Sequence, residues 1–131
     1  MTDALIVTLG ILLSHWISDF VLQSDWMARN KSKDIDALLS HVAVYYLSMA
    51  FCTGLLFYHL YGADGGLWGW VALWWVANGA LHLGVDFVTS RINSHLWAKG
   101  DVHTFFVAVG FDQFVHYACL FVTASWMLGV I

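Results

Sequence analysis

The stretch His15-Trp16-Ile17-Ser18-Asp19-Phe20-Val21 sits inside an apolar run from about Asp3 to Leu22, and its reading decides the fold. A bilayer's hydrocarbon, about 30 Å thick, takes about 20 apolar residues of helix to cross. The run is that long. An imidazole and a carboxylate four residues apart therefore share one face of a helix placed where charge is costly.

Outward from this stretch the pattern repeats. Further apolar runs cover about 37–61, 67–89 and 102–130. The separators are polar residues 23–36, the breaker cluster Gly62-Ala63-Asp64-Gly65-Gly66, and a segment holding Ser90-Arg91-Ile92-Asn93-Ser94-His95. Four spans use up a chain of 131 residues, so residues 1–131 read as one all-α membrane domain, a four-transmembrane-helix bundle. Lipid-exposed strands with open edges are excluded, because lipid offers no partner for backbone N–H and C=O groups. Composition agrees: the chain is 60% hydrophobic with mean hydropathy +0.72 and 11% charged residues, against about 25% charge in soluble domains. Met1-Thr2-Asp3 lacks the basic region of a secretory leader, so the first run is expected to stay as a span. Five Lys and Arg at net charge −4 exclude a nucleic-acid face. Cys52 and Cys119 lie in apolar runs and read as filler rather than as a disulfide or thiolate site.

All five basic residues (Arg29, Lys31, Lys33, Arg91, Lys99) fall in the first and third connections, whereas the middle turn carries Asp64. The positive-inside rule then predicts both basic connections on the cytoplasmic side of a bacterial inner membrane and both termini outside. Trp26 and Trp97 are expected at the inner interface, with Trp68, Trp70, Trp126, Tyr58 and Tyr61 at the outer one. Trp16, Trp74 and Trp75 are expected to pack inside. Trp74, Trp75, Leu55 and Phe121 are expected to close the outer half.

The third run echoes the first. His82, Asp86, Phe87 and Val88 match His15, Asp19, Phe20 and Val21 at one offset, 82 − 15 = 67 residues. Two helical hairpins related as a parallel internal repeat would produce this. The fourth run carries the reversed pair Asp112 and His116, with Gln113 alongside, and the second carries His41 near its start. At a rise of about 1.5 Å per residue, His15, Asp19, His41, His82 and Asp86 fall within about 12 Å of the inner helix ends, and Asp112 and His116 join if the fourth helix enters late.

Energy separates the readings of this layer. An ionised Asp near a span's centre costs about 2.5–3.5 kcal/mol, whereas an interhelical hydrogen bond returns about 0.6 kcal/mol on average. A divalent cation bound by His15, Asp19, His41, His82, Asp86, Asp112 and His116 would supply the missing positive charge. Nitrogen and oxygen ligands without thiolate favour Zn first, with Mn, Fe or Ni as alternatives. Seven candidates exceed one tetrahedral set, so either two metals bind or some of the seven orient the ligands. Gln23, Asn78 and Gln113 are candidates for that supporting role. Arg29, Lys31, Arg91 and Lys99 border the inner end, where they can meet a phosphate headgroup. Ser14 and Ser18 are expected to bond carbonyls of the preceding turn. His59, His95 and His103 are expected in solvent.

Three functions follow. The first is a metal-dependent hydrolase of lipid or lipid-linked substrates, with Asp19, Asp86 and Asp112 as catalytic carboxylates taking a proton from metal-activated water. The second is a proton or divalent-cation transporter or channel, which a homodimer would also suit. The third is bis-His haem ligation, for instance by His15 and His82. The expected partner throughout is the lipid bilayer.

The strings His15-Trp16-Ile17-Ser18-Asp19-Phe20-Val21-Leu22-Gln23 and Phe111-Asp112-Gln113-Phe114-Val115-His116, with His41, His82 and Asp86 between them, resemble a family of small bacterial and phage membrane proteins, domain of unknown function 3307. The resemblance covers nearly the whole chain. It implies a small helical membrane protein and brings no activity with it. A weaker likeness, in ligand types alone, is to intramembrane zinc hydrolases of the ceramidase and receptor kind, which have seven spans.

Overall fold

A computed structural model describes residues 3–130, so Met1, Thr2 and Ile131 lie outside the described residues. The chain forms α1 (Asp3–Trp16), a π-helical segment (Ile17–Val21), a short α2 (Asp25–Asn30), α3 (Ile35–Tyr61), α4 (Gly65–Ala98) and α5 (Val102–Val130). Four helical stretches, α1 with its π segment, α3, α4 and α5, are long and apolar enough to cross a membrane.

Each connection has a local cause. Ser24 accepts a hydrogen bond from the Met27 N–H at the start of α2, and Asp34 accepts one from the Asp36 N–H at the start of α3. α3 stops at Gly62, whose φ of 71° suits a residue without Cβ. Two residues on, Asp64 caps α4 through the Gly66 N–H. Asp101 accepts from the Thr104 N–H at the start of α5, which holds its carboxyl below the usual range.

The bundle is built on buried stripes at a spacing of three or four residues. In α3 the stripe is Leu38, His41, Tyr45, Met49, Thr53 and Phe57; in α4 it is Leu67, Val71, Trp74, Asn78, His82 and Asp86. α5 contributes Asp112, His116, Leu120, Ala124 and Met127. Each stripe is apolar toward the end holding the Gly-rich turn and polar toward the end holding the basic connections. The outward faces are apolar along their length, with Leu47, Phe51, Phe111, Phe114 and Val122 exposed. A polar interior beneath an apolar exterior is the arrangement lipid selects. α4 packs on α5 and α3, and α1 on α3 with a smaller contact to α5.

Several expectations change. The third helix does not end at Thr89 but continues to Ala98, because residues 90–98 contain no Gly or Pro. The first span is not a plain α-helix: the Leu22 N–H bonds the Ile17 carbonyl five residues back. Trp16 is exposed rather than packed inside, and so is Leu55. Trp74 is buried as expected, and Trp75 donates its indole N–H to Thr53 Oγ1. His59, His95 and His103 are exposed, and both cysteines are free and half-buried.

Candidate metal centre

The polar ends of the stripes converge. His15, Asp19, His41, His82, Asp86, Asp112 and His116 are all buried, and they come from all four long helical stretches. Four residues form the larger of two groups that could hold a metal ion, through Asp19 Oδ1, His41 Nε2, His82 Nε2 and Asp86 Oδ2. His41 Nε2 lies 3.1 Å from Asp19 Oδ1, 3.0 Å from Asp86 Oδ2 and 3.1 Å from His82 Nε2. His82 Nε2 lies 3.7 Å from each carboxylate oxygen. Ligands about 2.0 Å from a zinc ion at tetrahedral angles stand about 3.3 Å from one another. Five of the six edges of this tetrahedron, 3.0 to 3.7 Å, bracket that value.

Hydrogen bonding alone does not account for this crowding. His41 Nε2 also has Lys31 Nζ at 3.2 Å, so four polar atoms surround one nitrogen that carries a single proton or a single lone pair. The four residues offer two imidazole nitrogens and two carboxylate oxygens, a set that could hold a metal ion, with the Lys31 ammonium 2.7 Å from Asp86 Oδ2 beside them.

The remaining residues hold the four. His82 Nδ1 faces His116 Nδ1 at 3.1 Å, and His116 Nε2 lies 3.2 Å from Asp86 Oδ1 and 3.4 Å from Asp112 Oδ1. Two facing imidazole nitrogens share one proton. With the lone pair of His82 Nε2 turned to the centre, its Nδ1–H can donate to His116, whose Nε2–H can then donate to Asp86 Oδ1. Tyr45 stacks on His82 at 3.6 Å with an interplanar angle of 6°, fixing the ring plane.

His15 stands outside this group of four. Its Nδ1 is 3.4 Å from Tyr45 OH, and its Nε2 is 3.1 Å from Gln113 Oε1 and 3.6 Å from Asp19 Oδ2. Gln113 donates to Asp19 Oδ2 at 3.2 Å and to Asp112 Oδ2 at 3.0 Å. Asp112, with His116 and Asp86, forms a second group around Asp86's other oxygen.

The other candidates divide. Lys31 is not a peripheral headgroup contact: its Nζ is 2.7 Å from Asp86 Oδ2, because α2 folds the first connection back over the layer. Asn78, one turn from His82, turns instead to Thr123 Oγ1 at 2.9 Å and ties α4 to α5. Gln23 lines the neighbouring cavity without touching the cluster. Arg29 pairs with Asp25, and Arg91 bonds its own helix through the Phe87 carbonyl and lies over the Phe87 ring. Lys99 is exposed and ends α4. Ser18 Oγ has no partner, so it does not bond the preceding turn as expected. Haem ligation by His15 and His82 meets an obstacle: both nitrogens of both rings already face other side chains at 3.1–3.7 Å.

Two participants escaped sequence reading. Tyr45 is one turn from His41 on the same face, and that spacing was the available signal. The inward swing of Lys31 has none, because it depends on the path of α2.

No curated protein and no solved structure matches this chain. A protein family does: residues 7–130, a stretch containing every residue of the buried layer, match the family described as "Protein of unknown function (DUF3307)", and the chain belongs to it.

Proposed function

We propose that this is a bacterial inner-membrane protein, its basic connections in the cytoplasm, that binds one divalent cation, zinc first, between Asp19, His41, His82 and Asp86. The observation that carries the reading is the near-tetrahedral spacing of four buried nitrogen and oxygen atoms. All four ligands come from one chain, so a second copy is not needed to complete the site.

The chemistry proposed is hydrolysis of a lipid or lipid-linked ester or phosphate. A zinc ion held by these residues would have to take a further ligand, or give up one carboxylate, at the cavity side; a water bound there would have its pKa lowered toward about 7. Asp19 and Asp112 both line a cavity on the basic side of the layer, so substrate and water meet the site there. Asp112, whose Oδ1 lies 3.4 Å from His116 Nε2 and whose Oδ2 accepts from Gln113, is the proton acceptor in this reading. Transport is less well supported, since it requires passage beyond the layer, where Ile11, Phe57, Val71, Trp74 and Leu120 fill the bundle with apolar side chains.

Proteoliposomes of bacterial lipid, supplied with Zn²⁺, separate the two. Chelator-sensitive release of fatty acid or phosphate, lost in Asp112→Asn, is the expected outcome. Zn²⁺ flux abolished by Asp86→Asn, with no product released, would replace hydrolysis with transport.

A further inference from the structure

The five basic side chains of this protein do not share one role. Lys33 and Lys99 are exposed, Arg29 pairs with Asp25, and Arg91 bonds the Phe87 carbonyl. Lys31 alone reaches the buried layer. It caps the C-terminal end of α2, its side chain is 17% exposed, and its Nζ stands 2.7 Å from Asp86 Oδ2 and 3.2 Å from His41 Nε2, two corners of the four-atom group. Those corners lie 3.0 Å apart, so the ammonium sits across one edge of the group.

That placement sets Lys31 against an ion. Given those three distances, an ion bonded to both corners at about 2.0 Å would stand at most about 4 Å from Lys31 Nζ, whichever side of the edge each takes. Two positive charges that close, away from bulk water, repel strongly. The lone pair adds a second conflict: His41 Nε2 has one, and a ligating His41 gives it to the ion, which leaves Lys31 no acceptor there. The ammonium has somewhere to go. Lys31 also lines the cavity of about 690 Å³ on the basic side of the layer, and its charge rides on a flexible four-carbon stem.

We propose that Lys31 is a tethered competitor of the divalent ion: its ammonium and the ion take the edge between His41 and Asp86 in turn, and binding of the ion drives Lys31 out into the cavity. This rests on the cation reading of the four-residue group above. Lys31 thereby sets how tightly the ion is held.

Two measurements on the full chain in detergent test this, with Zn²⁺ as the probe. In a titration against a competing chelator, Lys31→Met should bind Zn²⁺ about 10-fold to 100-fold more tightly than wild type, the scale of one charged hydrogen bond that no longer has to be broken. In the wild-type protein, acylation of each lysine by an amine-reactive ester is followed by mass spectrometry with and without Zn²⁺. Lys31 should react faster when Zn²⁺ is present, while the exposed Lys33 and Lys99 keep their rates and serve as references. The labelling needs no substitution, so it decides the matter even where Lys31→Met does not fold. A Lys31→Met protein that binds Zn²⁺ no more tightly than wild type would overturn the competition and leave the ion site standing. So would a Lys31 rate that Zn²⁺ leaves unchanged or lowers in protein shown to bind it. Failure of both proteins to bind Zn²⁺ would remove the ion site itself, and the competition with it.

Discussion

His15-x-x-x-Asp19 in the first span and His82-x-x-x-Asp86 in α4 have the same spacing and reach nearly the same internal distance, 3.6 and 3.7 Å between imidazole Nε2 and carboxylate Oδ2. Their fates differ. Both carboxylates meet His41, but only His82 turns a nitrogen into the tetrahedron, whereas His15 is held by Tyr45 and Gln113. Helical spacing sets which residues share a face; the neighbouring helices set which nitrogen a ligand site receives. Local backbone differs too, since α4 is regular through Asp86 while Asp19 sits in a π-helical segment, a feature frequent at functional sites.

The largest expected effect breaks the comparison directly. His82→Ala removes a ligand and should abolish stoichiometric metal, whereas His15→Ala removes only a support of Asp19 and should weaken affinity about 10-fold to 100-fold. Competition titration against a chelator in detergent measures both; equal losses would erase the distinction. The carboxylates come next. Asp86→Asn strands Lys31 in a mostly buried position, and unpairing a buried ion pair costs about 3–5 kcal/mol. Asp19→Asn leaves that pair intact and should destabilise less, as read by unfolding in detergent.

Asn78→Ala sharpens the contrast between site and scaffold, because Asn78 bonds Thr123 rather than any ligand. It should lower stability by about 0.5–1.5 kcal/mol through the interhelical hydrogen bond lost, since Thr123 keeps its bond to the Cys119 carbonyl, with metal content unchanged. The smallest effect lies outside the bundle. Asp101 has its carboxyl held below the usual range by Thr104, so its contribution is present above that range and is lost as pH falls through the lowered folded value. The melting temperature of wild type should exceed that of Asp101→Ala at pH 7, and the difference should vanish in acid below the carboxyl range.

The bundle was legible from sequence because four apolar runs leave no other way to satisfy the backbone in lipid. The buried layer was legible because imidazole and carboxylate at a spacing of four must share a face, as His82 with Asp86 and Asp112 with His116 do, while His41 was placed by its depth from the inner end of its helix. Choices made in three dimensions were not legible. Asn78 lies one turn from His82, yet a hydroxyl on the next helix was the nearer partner. Lys31 sits in a polar connection with the signature of a headgroup contact, and only the fold of α2 brings it onto Asp86. The continuation of α4 past Thr89 was hidden by polar residues that mark a membrane boundary without ending a helix.

The most direct measurement is elemental analysis of detergent-purified wild-type protein, with a visible spectrum taken on the same sample. The account predicts one divalent ion per chain, zinc first, and no haem absorption. A folded protein that carries no metal, and takes none up when zinc is supplied, would contradict it.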